Sequence, residues 1–359
     1  MNGFTCKTKI FSGENALEAL KQWHPQRLMV VTDPYFYENG TAQKIAAISG
    51  AVETEFFSRV APDPTAELAA EGTAALRAFR PDVLVMLGGG SAMDLGKAMA
   101  YFSGDRPLMV AIPTTSGSGS EVTDFAILTH DGIKHPLVDD SLQPDVAILD
   151  GALLRSLPPK LVADCGFDAL SHALEALVAT GASAVTDALA KAAFCRIFRD
   201  LEGSFRGDAM VRQGIHEASC MAAMAFNGAG LGLCHALAHS LGGAFHIPHG
   251  RLNGILLPAV LEYNRDAWEK YAEVAAAAGL CSGAKVMGLR NLKNGLIRLR
   301  KVLQMPANLT EAGIDLYQLR SRMPQLVEGA LADPCCATNP VTVDGASVRA
   351  LLEEVTVGG

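Results

Sequence analysis

The chain has 359 residues and a formal net charge of −8; 49% of its residues are apolar and 19% charged. This is the composition of a packed globular protein long enough for two domains with sizeable cores. The acidic balance argues against nucleic acid or an anionic membrane as the main partner. No apolar run approaches the roughly 18 residues of a membrane-spanning helix, and the polar N-terminal MNGFTCKTKI lacks the apolar core of a secretory leader. The eight cysteines form no CxxC pair, and adjacent Cys335 and Cys336 are poorly placed to bond each other. A reduced, cytoplasmic protein is expected.

The first half alternates strand and helix patterns. Arg27–Asp33, RLMVVTD, is a short apolar run ending in an acid, the pattern of a buried parallel strand. A helix follows around Gly40–Ala47, then a strand over Val52–Phe57 and an alanine-rich helix over Thr65–Ala78. Asp82–Leu87 is a third strand running straight into Gly88-Gly89-Gly90-Ser91, after which Ala92–Tyr101 is helical. Leu108–Ile112 is a fourth strand, ending in Pro113 and the run TTSGSGS. Val122–Leu128 and Val146–Leu149 read as further strands. The alternation predicts a mostly parallel sheet with helices on both faces.

The texture changes at Pro158-Pro159, and strand signals all but vanish. Ala163–Ala179, Ser183–Arg199, Met210–Phe226, Leu231–Leu241 and Gly254–Tyr263 read as helices, with more to the end of the chain. The expected organisation is an α/β dinucleotide-binding domain over residues 1–157 and an all-helical domain over residues 158–359.

Gly88–Ser91 follows a strand and opens a helix. Residues without side chains there let the backbone approach a phosphate, and a helix N-terminus favours the anion. The run is not the GxGxxG fingerprint and is weak evidence alone. A second loop of hydroxyls and bare amides, TTSGSGS, ends another strand, and the two together suggest a diphosphate cradle. Asp33 ends the first strand, where an acid can bind a ribose 2′-hydroxyl; a helix-capping or turn aspartate is the other reading.

Four of the nine histidines fall between Asn227 and Gly250. His235 and His239 are four apart and so share one face of an otherwise apolar helix. Upstream, FDALSHALEAL (Phe167–Leu177) puts Asp168 and His172 four apart in the same way. Buried imidazoles need hydrogen-bond partners or a metal. Two unrelated pairs of satisfied core histidines are one reading. Both pairs with a third element at His249, held by Pro248 and Gly250 in a turn, favour a metal site. Asp168, His172, His235 and His249 would supply three imidazoles and a carboxylate, a donor set without thiolate that suits Fe(II) or Zn(II).

The stretches GGGSAMDLGK (Gly88–Lys97), PTTSGSGSEVT (Pro113–Thr123), GFDALSHALEA (Gly166–Ala176) and CHALAHSLGGAFHIPHG (Cys234–Gly250) resemble the iron-containing, group III, alcohol dehydrogenases. The likeness runs from Arg27–Asp33 to Asn339-Pro340 and points to the small primary-alcohol branch acting on ethanol, propanol or propanediol. The resemblance implies a two-domain fold like that of dehydroquinate synthase. It implies metal ligation by Asp168, His172, His235 and His249, with iron as the metal and zinc as the alternative. It places Gly89, Gly90, Ser91, Thr114 and Thr115 in loops that bind NAD, with Asp94 and Lys97 completing the first motif and Asp33 as the NAD-selecting acid. Lys134, in a KHP segment, is similar to a lysine that approaches the nicotinamide ribose. His239 matches an additional histidine near the metal that is not a ligand and could carry the proton. Phe226 and Cys335 align with pocket-lining positions, which suggests a small, weakly polar substrate. A homodimer is expected, cytoplasmic or inside a bacterial microcompartment.

The chain departs from the family in places. Asp63 stands in a PDP where many relatives have PNP, and Ser240 replaces a proline, predicting a straighter helix. His246 is not typical of the motif and reads as a surface residue or a donor behind the site. The segment after Tyr101 is compact, so the pocket rim is expected to differ. Two other readings remain. A zinc polyol oxidoreductase of the glycerol dehydrogenase type shares the architecture, as do the dehydroquinate synthases; the HALAHSLG and DALSH motifs favour the alcohol branch, and NADH formation with simple alcohols separates them. A catalytically silent nucleotide-binding protein should show a broken ligand set, and all four candidate ligands are present.

Overall fold

The computed structural model describes residues 3–131, 133–281 and 287–357. The chain forms two compact units, one covering Cys6–Ser156 and the other the helical remainder from Leu157 onward. Gly3–Thr5, expected with the first domain, belong to the helical unit, where the Phe4 ring lies against Gly228. Among the described residues no single helix is long and apolar enough to cross a membrane. None of the eight cysteines is in a disulfide.

In the α/β unit the strands are β1 (Lys9–Ser12), β2 (Arg27–Thr32), β3 (Glu53–Phe57), β4 (Val83–Gly88), β5 (Leu108–Pro113), β6 (Phe125–His130), β7 (Ile133–Val138) and β8 (Val146–Leu149). The helices are α1 (Pro34–Glu38), α2 (Thr41–Ser49), α3 (Ala66–Phe79) and α4 (Gly90–Ser103). Six strands make a parallel sheet in the order β1-β8-β5-β4-β2-β3. Successive strand residues face opposite sides. Met29, Val31, Leu84 and Met86 therefore pack with α3 and α4, while Leu28, Val30, Val83, Val85 and Leu87 pack on the side of α2. Two cores sandwich the sheet, which explains the unbroken apolar runs of β2, β4 and β5.

The strand expected over Val122–Leu128 begins later, at Phe125, and leaves the parallel sheet. It pairs antiparallel with β7, a strand the sequence pattern did not reveal, in a separate two-stranded ribbon. Val122 sits in a turn closed by its amide onto the Gly119 carbonyl. β1 was also unread; four half-exposed residues carry little pattern.

The ribbon is fastened to α4 by Lys97, whose side chain is fully buried. Its ammonium donates to the Thr123 carbonyl at 2.9 Å, the Thr123 hydroxyl at 3.2 Å and the Phe125 carbonyl at 2.9 Å. Burial lowers the Lys97 pKa to about 8, against the opposing pull of Asp94, Glu121 and Asp124.

The helical unit contains α5 (Pro159–Val178), α6 (Ala184–Phe205), α7 (Arg212–Ala229), α8 (Leu233–Phe245) and α9 (His249–Tyr263). It continues with α10 (Trp268–Ala277), α11 (Gly288–Val302), α12 (Leu316–Ala332), α13 (Pro334–Ala337) and α14 (Gly345–Val357). α5 is buried almost all round and is the axis of the unit. α9 starts at His249, immediately after Pro248. The expected turn at His249 is therefore the first turn of a helix, a position where a preceding proline costs no hydrogen bond. Gly250 lets α9 approach α5: a Cβ there would lie 1.9 Å from the Asp164 carbonyl oxygen. Arg251, next along, clasps the Asp164 carboxylate through Nε at 3.2 Å and Nη2 at 2.8 Å.

Two outcomes are expected. Gly250→Ala must push α9 away from backbone that cannot yield, so the protein should lose on the order of 1–3 kcal/mol of stability or more, measurable by denaturant titration. For Lys97, the folded pKa lies below the ordinary lysine value of 10.5, so between pH 8 and 10.5 the unfolded state binds more protons than the folded one, and stability from this group rises with pH. The stability advantage of wild type over Lys97→Met should therefore grow across that window; an advantage that stays flat or shrinks would contradict the burial described here.

Candidate metal centre and nucleotide loops

A single stripe of α5 carries Asp164, Asp168, His172 and Glu175, spaced four, four and three residues apart, in a helix that is mostly apolar elsewhere. Buried charges must be paired, and the three carboxylates find partners on α8 or α9, while His172 stacks on His235 of α8.

Glu175 meets the start of α8. Its Oε1 accepts from the Cys234 amide at 2.6 Å and its Oε2 from the His235 amide at 3.3 Å, so a carboxylate from another helix caps this N-terminus. Gly232 supplies the room, since a Cβ there would lie 2.8 Å from Glu175 Oε1 and 2.9 Å from Asn339 Oδ1. Oε2 also faces His235 Nδ1 at 2.5 Å. An ionised carboxylate only accepts, so Nδ1 carries a proton and Nε2 is turned the other way, toward Asp168.

Three imidazoles surround one oxygen. Asp168 Oδ1 lies 3.4 Å from His249 Nε2, 3.7 Å from His235 Nε2 and 3.9 Å from His172 Nε2. These spacings exceed hydrogen bonds, so the nitrogens ring the oxygen and do not bond to it. The donor atoms of Asp168, His235 and His249 lie within 4.8 Å of one another. His172 is stacked between the His235 ring, at 4.5 Å between centroids, and the Phe226 ring at 4.4 Å. Asn253 joins from α9, its Nδ2 2.9 Å from Asp168 Oδ1 and 3.1 Å from His249 Nε2.

The electrostatics match the donor set. Burial works against the Asp168 carboxylate, but His172, His249 and His235 outweigh it and hold its pKa far below the usual range. Burial likewise opposes a charged His235, yet the nearby Asp168 and Glu175 carboxylates raise its pKa to about 9. His249 is pushed well below its ordinary value by burial, helped by its histidine neighbours. Two carboxylates, Glu175 and Asp168, flank the His235 imidazole and make the spot electrostatically negative. Nitrogen and oxygen donors converging there fit a borderline divalent cation such as Fe(II) or Zn(II).

His239, one turn beyond His235, stacks on His249 with centroids 5.0 Å apart and rings 15° from parallel. Its Nδ1 lies 2.8 Å from Asp333 Oδ2. Cys335 lies beside this pair. His246 is exposed and ends α8 in a left-handed conformation, so it lies outside the cluster. Ser240 donates to the Leu326 carbonyl at 2.9 Å, tying α8 to α12.

Sequence reasoning missed Glu175, Asn253 and Asp333. The first two were readable in principle, Glu175 on the stripe of Asp168 and His172 and Asn253 one turn after His249. Asp333 announces only a helix cap before Pro334; nothing ties it to a histidine 94 positions away.

In the α/β unit the chain leaves β2 toward β3 on one side and resumes at β4 on the other, so the strand order reverses between β2 and β4. Such a switch point opens a crevice at the carboxyl ends of the strands. Asp33 and the Gly88–Ser91 turn flank it. Asp33 Oδ1 caps α1 by accepting from the Phe36 amide at 3.1 Å, and its Oδ2 lies beside Gly88. Gly89 and Gly90 open α4, which starts two residues earlier than the pattern suggested, and the second loop lies against them: a Cβ on Gly89 would meet Thr115 Oγ1 at 3.4 Å, and one on Gly90 would meet the Ser118 Cβ at 3.1 Å. The Thr114 amide donates to the Gly88 carbonyl at 2.9 Å. Ser91 follows in the first turn of α4. Asp94 accepts from Ser120 Oγ at 2.8 Å, which pins the second loop to α4, and burial raises its pKa despite Lys97. Lys134 lies on β7 in an ion pair with Asp63, 2.6 Å apart. Asp63 has φ +53°, a conformation open to asparagine and aspartate, which accounts for either residue at that position.

Comparison with known proteins matches both halves of the chain. A model described as iron-containing alcohol dehydrogenase covers residues 7–151, and one described as the C-terminal part of the Fe-containing alcohol dehydrogenase family covers residues 162–356. The 1-propanol dehydrogenase PduQ of Salmonella typhimurium is 39% identical, across 99% of this chain and all of that protein. The NADPH-dependent butanol dehydrogenase of Clostridium saccharobutylicum is 35% identical, across all of this chain and 99% of the relative. The solved structure of an iron-containing alcohol dehydrogenase from Thermococcus thioreducens superposes with a TM-score of 0.92 at 31% identity, covering 99% of this chain and all of the other. The chain therefore belongs to the iron-containing alcohol dehydrogenase family of oxidoreductases.

Proposed function

We propose that this protein interconverts a short primary alcohol and its aldehyde with NAD(H) and a divalent iron, zinc being the substitute metal. The observation that carries this reading is the convergence of Asp168, His235 and His249 donor atoms, with His172 beside them, at a site buried except at half-exposed His249. Support for the substrate class comes from relatives named for 1-propanol and butanol.

Asp168, His172, His235 and His249 would hold the metal, with Glu175 orienting His235 from behind. When bound, the metal supplies Lewis acidity at the substrate oxygen and NAD accepts the hydride. The chain's own residues supply the rest. His239 would take the alcohol proton at Nε2, its Nδ1 being engaged by Asp333, and would return it in the reverse direction. Phe226, stacked on His172, would present an apolar wall that suits a small, weakly polar substrate.

The Gly89, Gly90, Ser91, Thr114 and Thr115 loops would cradle the NAD diphosphate at the switch point, with Asp94 bracing them and Lys134 serving the nicotinamide ribose. Asp33 would accept from the ribose hydroxyl and repel a 2′-phosphate. We place the protein in the cytoplasm, free or inside a bacterial microcompartment, as a homodimer.

Iron-loaded protein should form NADH from ethanol, 1-propanol, 1-butanol and propanediol; activity on glycerol alone would refute the alcohol assignment. His249→Ala should lose metal, read by elemental analysis, and turnover with it, while NAD affinity stays at the wild-type value; full turnover in chelator-treated, metal-depleted protein would rule the metal out. Asp33→Gly should narrow the ratio of kcat/KM for NAD over NADP. A wild type that prefers NADP would remove Asp33 from its assigned role.

A further inference from the structure

Asp333 is the N-cap of the short helix α13 and the partner of His239 at the same time. Its two oxygens divide the work: Oδ1 accepts from the Cys335 amide at 2.8 Å, and Oδ2 faces His239 Nδ1 at 2.8 Å. A carboxylate held at both oxygens cannot rotate, so it holds the imidazole in one orientation. Its side chain is 14% exposed and that of His239 28%, a setting dry enough for the contact to have directional strength. The far side of the His239 ring lies flat against His249, so the ring is clamped on its face as well as at its edge. Burial works against a charged Asp333, but its hydrogen bonds to His239 and Cys335 keep its pKa lowered. An acceptor-only carboxylate at Nδ1 leaves Nε2 with the free lone pair.

We propose that Asp333 is a positioning residue for alcohol oxidation: it fixes His239 in the Nδ1–H tautomer, aims Nε2 as the proton acceptor, and stabilises the imidazolium that forms. This rests on the proton role given to His239 above. As the alcohol is oxidised, its hydride leaves with the electron pair for NAD, and its hydroxyl proton moves to His239 Nε2. The imidazolium charge is then balanced by Asp333, which stays ionised.

The test compares Asp333→Asn, Asp333→Ser and His239→Ala, and the double variant of Asp333→Asn with His239→Ala, all as metal-loaded full-length protein. Asparagine and serine both keep a helix cap but offer no carboxylate to Nδ1; asparagine can also turn an N–H toward it and favour the other tautomer. Metal content and melting temperature should match wild type. KM for the alcohol should stay within about threefold, kcat should fall on the order of 10²-fold, and the solvent deuterium isotope effect on kcat should increase. In the His239→Ala background, Asp333→Asn should cost nothing further, because the residue acts only through that ring. Wild-type kcat in both single Asp333 variants, alongside an impaired His239→Ala, would overturn this inference and leave the proton role intact. Additive losses in the double variant, or a rise in KM at constant kcat, would overturn it as well. Wild-type turnover in His239→Ala would instead remove the proton role itself.

Discussion

The helical unit depends on one costly arrangement, a line of ionisable groups along a helix that is buried on nearly every side. α5 carries Asp164, Asp168, His172 and Glu175 in a stripe, and unpaired charges in such a place would cost several kcal/mol each. Every neighbour is shaped by the need to pair them. Arg251 answers Asp164, the amides opening α8 answer Glu175, and three imidazoles answer Asp168. The glycines follow from the same demand: Gly250 and Gly232 leave space where α9 backbone and the Glu175 carboxylate must pass. Site chemistry and helix packing are therefore one problem, and a change in either disturbs the other.

The same groups set the character of the centre. Neighbouring imidazoles hold the Asp168 pKa low, the Asp168 and Glu175 carboxylates raise that of His235, and burial lowers that of His249. The cluster thus has lone pairs on one side and a strong negative focus in the middle, which is what an oxygen- and nitrogen-binding cation requires. Carboxylates behind two of the histidines, Glu175 for His235 and Asp333 for His239, hold those rings by Nδ1 and turn Nε2 away from the carboxylate in each case.

The α/β unit solves a different problem with the same economy of means. Its two glycine-rich loops carry only glycines and short hydroxyl side chains, so their positions are set from below. Thr114 hydrogen-bonds to Gly88, Ser120 to Asp94, and Lys97 reaches across to Thr123 and Phe125. Buried polar groups on α4 act as fasteners that let the loop surface remain bare backbone, the form best suited to approach a phosphate.

The sequence by itself determined the architecture and the local faces. Unbroken apolar runs ending in glycine-rich turns specify a parallel sheet covered on both sides, and the spacing of four between Asp168 and His172, and between His235 and His239, puts each pair on one helical face whatever the rest of the chain does. The absence of strand patterns after Pro158-Pro159 marked the helical half equally well. Short β1 and the largely exposed β7 escaped because four to six residues without alternation carry too little signal. What only the tertiary structure decided is which faces meet. That Glu175 caps α8, that Asn253 enters the centre from α9, and that Asp333 stands behind His239 are contacts between segments 59 to 94 positions apart. Hydrophobic periodicity says which side of a helix is buried, but it is blind to the partner, because apolar burial has no direction while a hydrogen bond between two buried polar groups does.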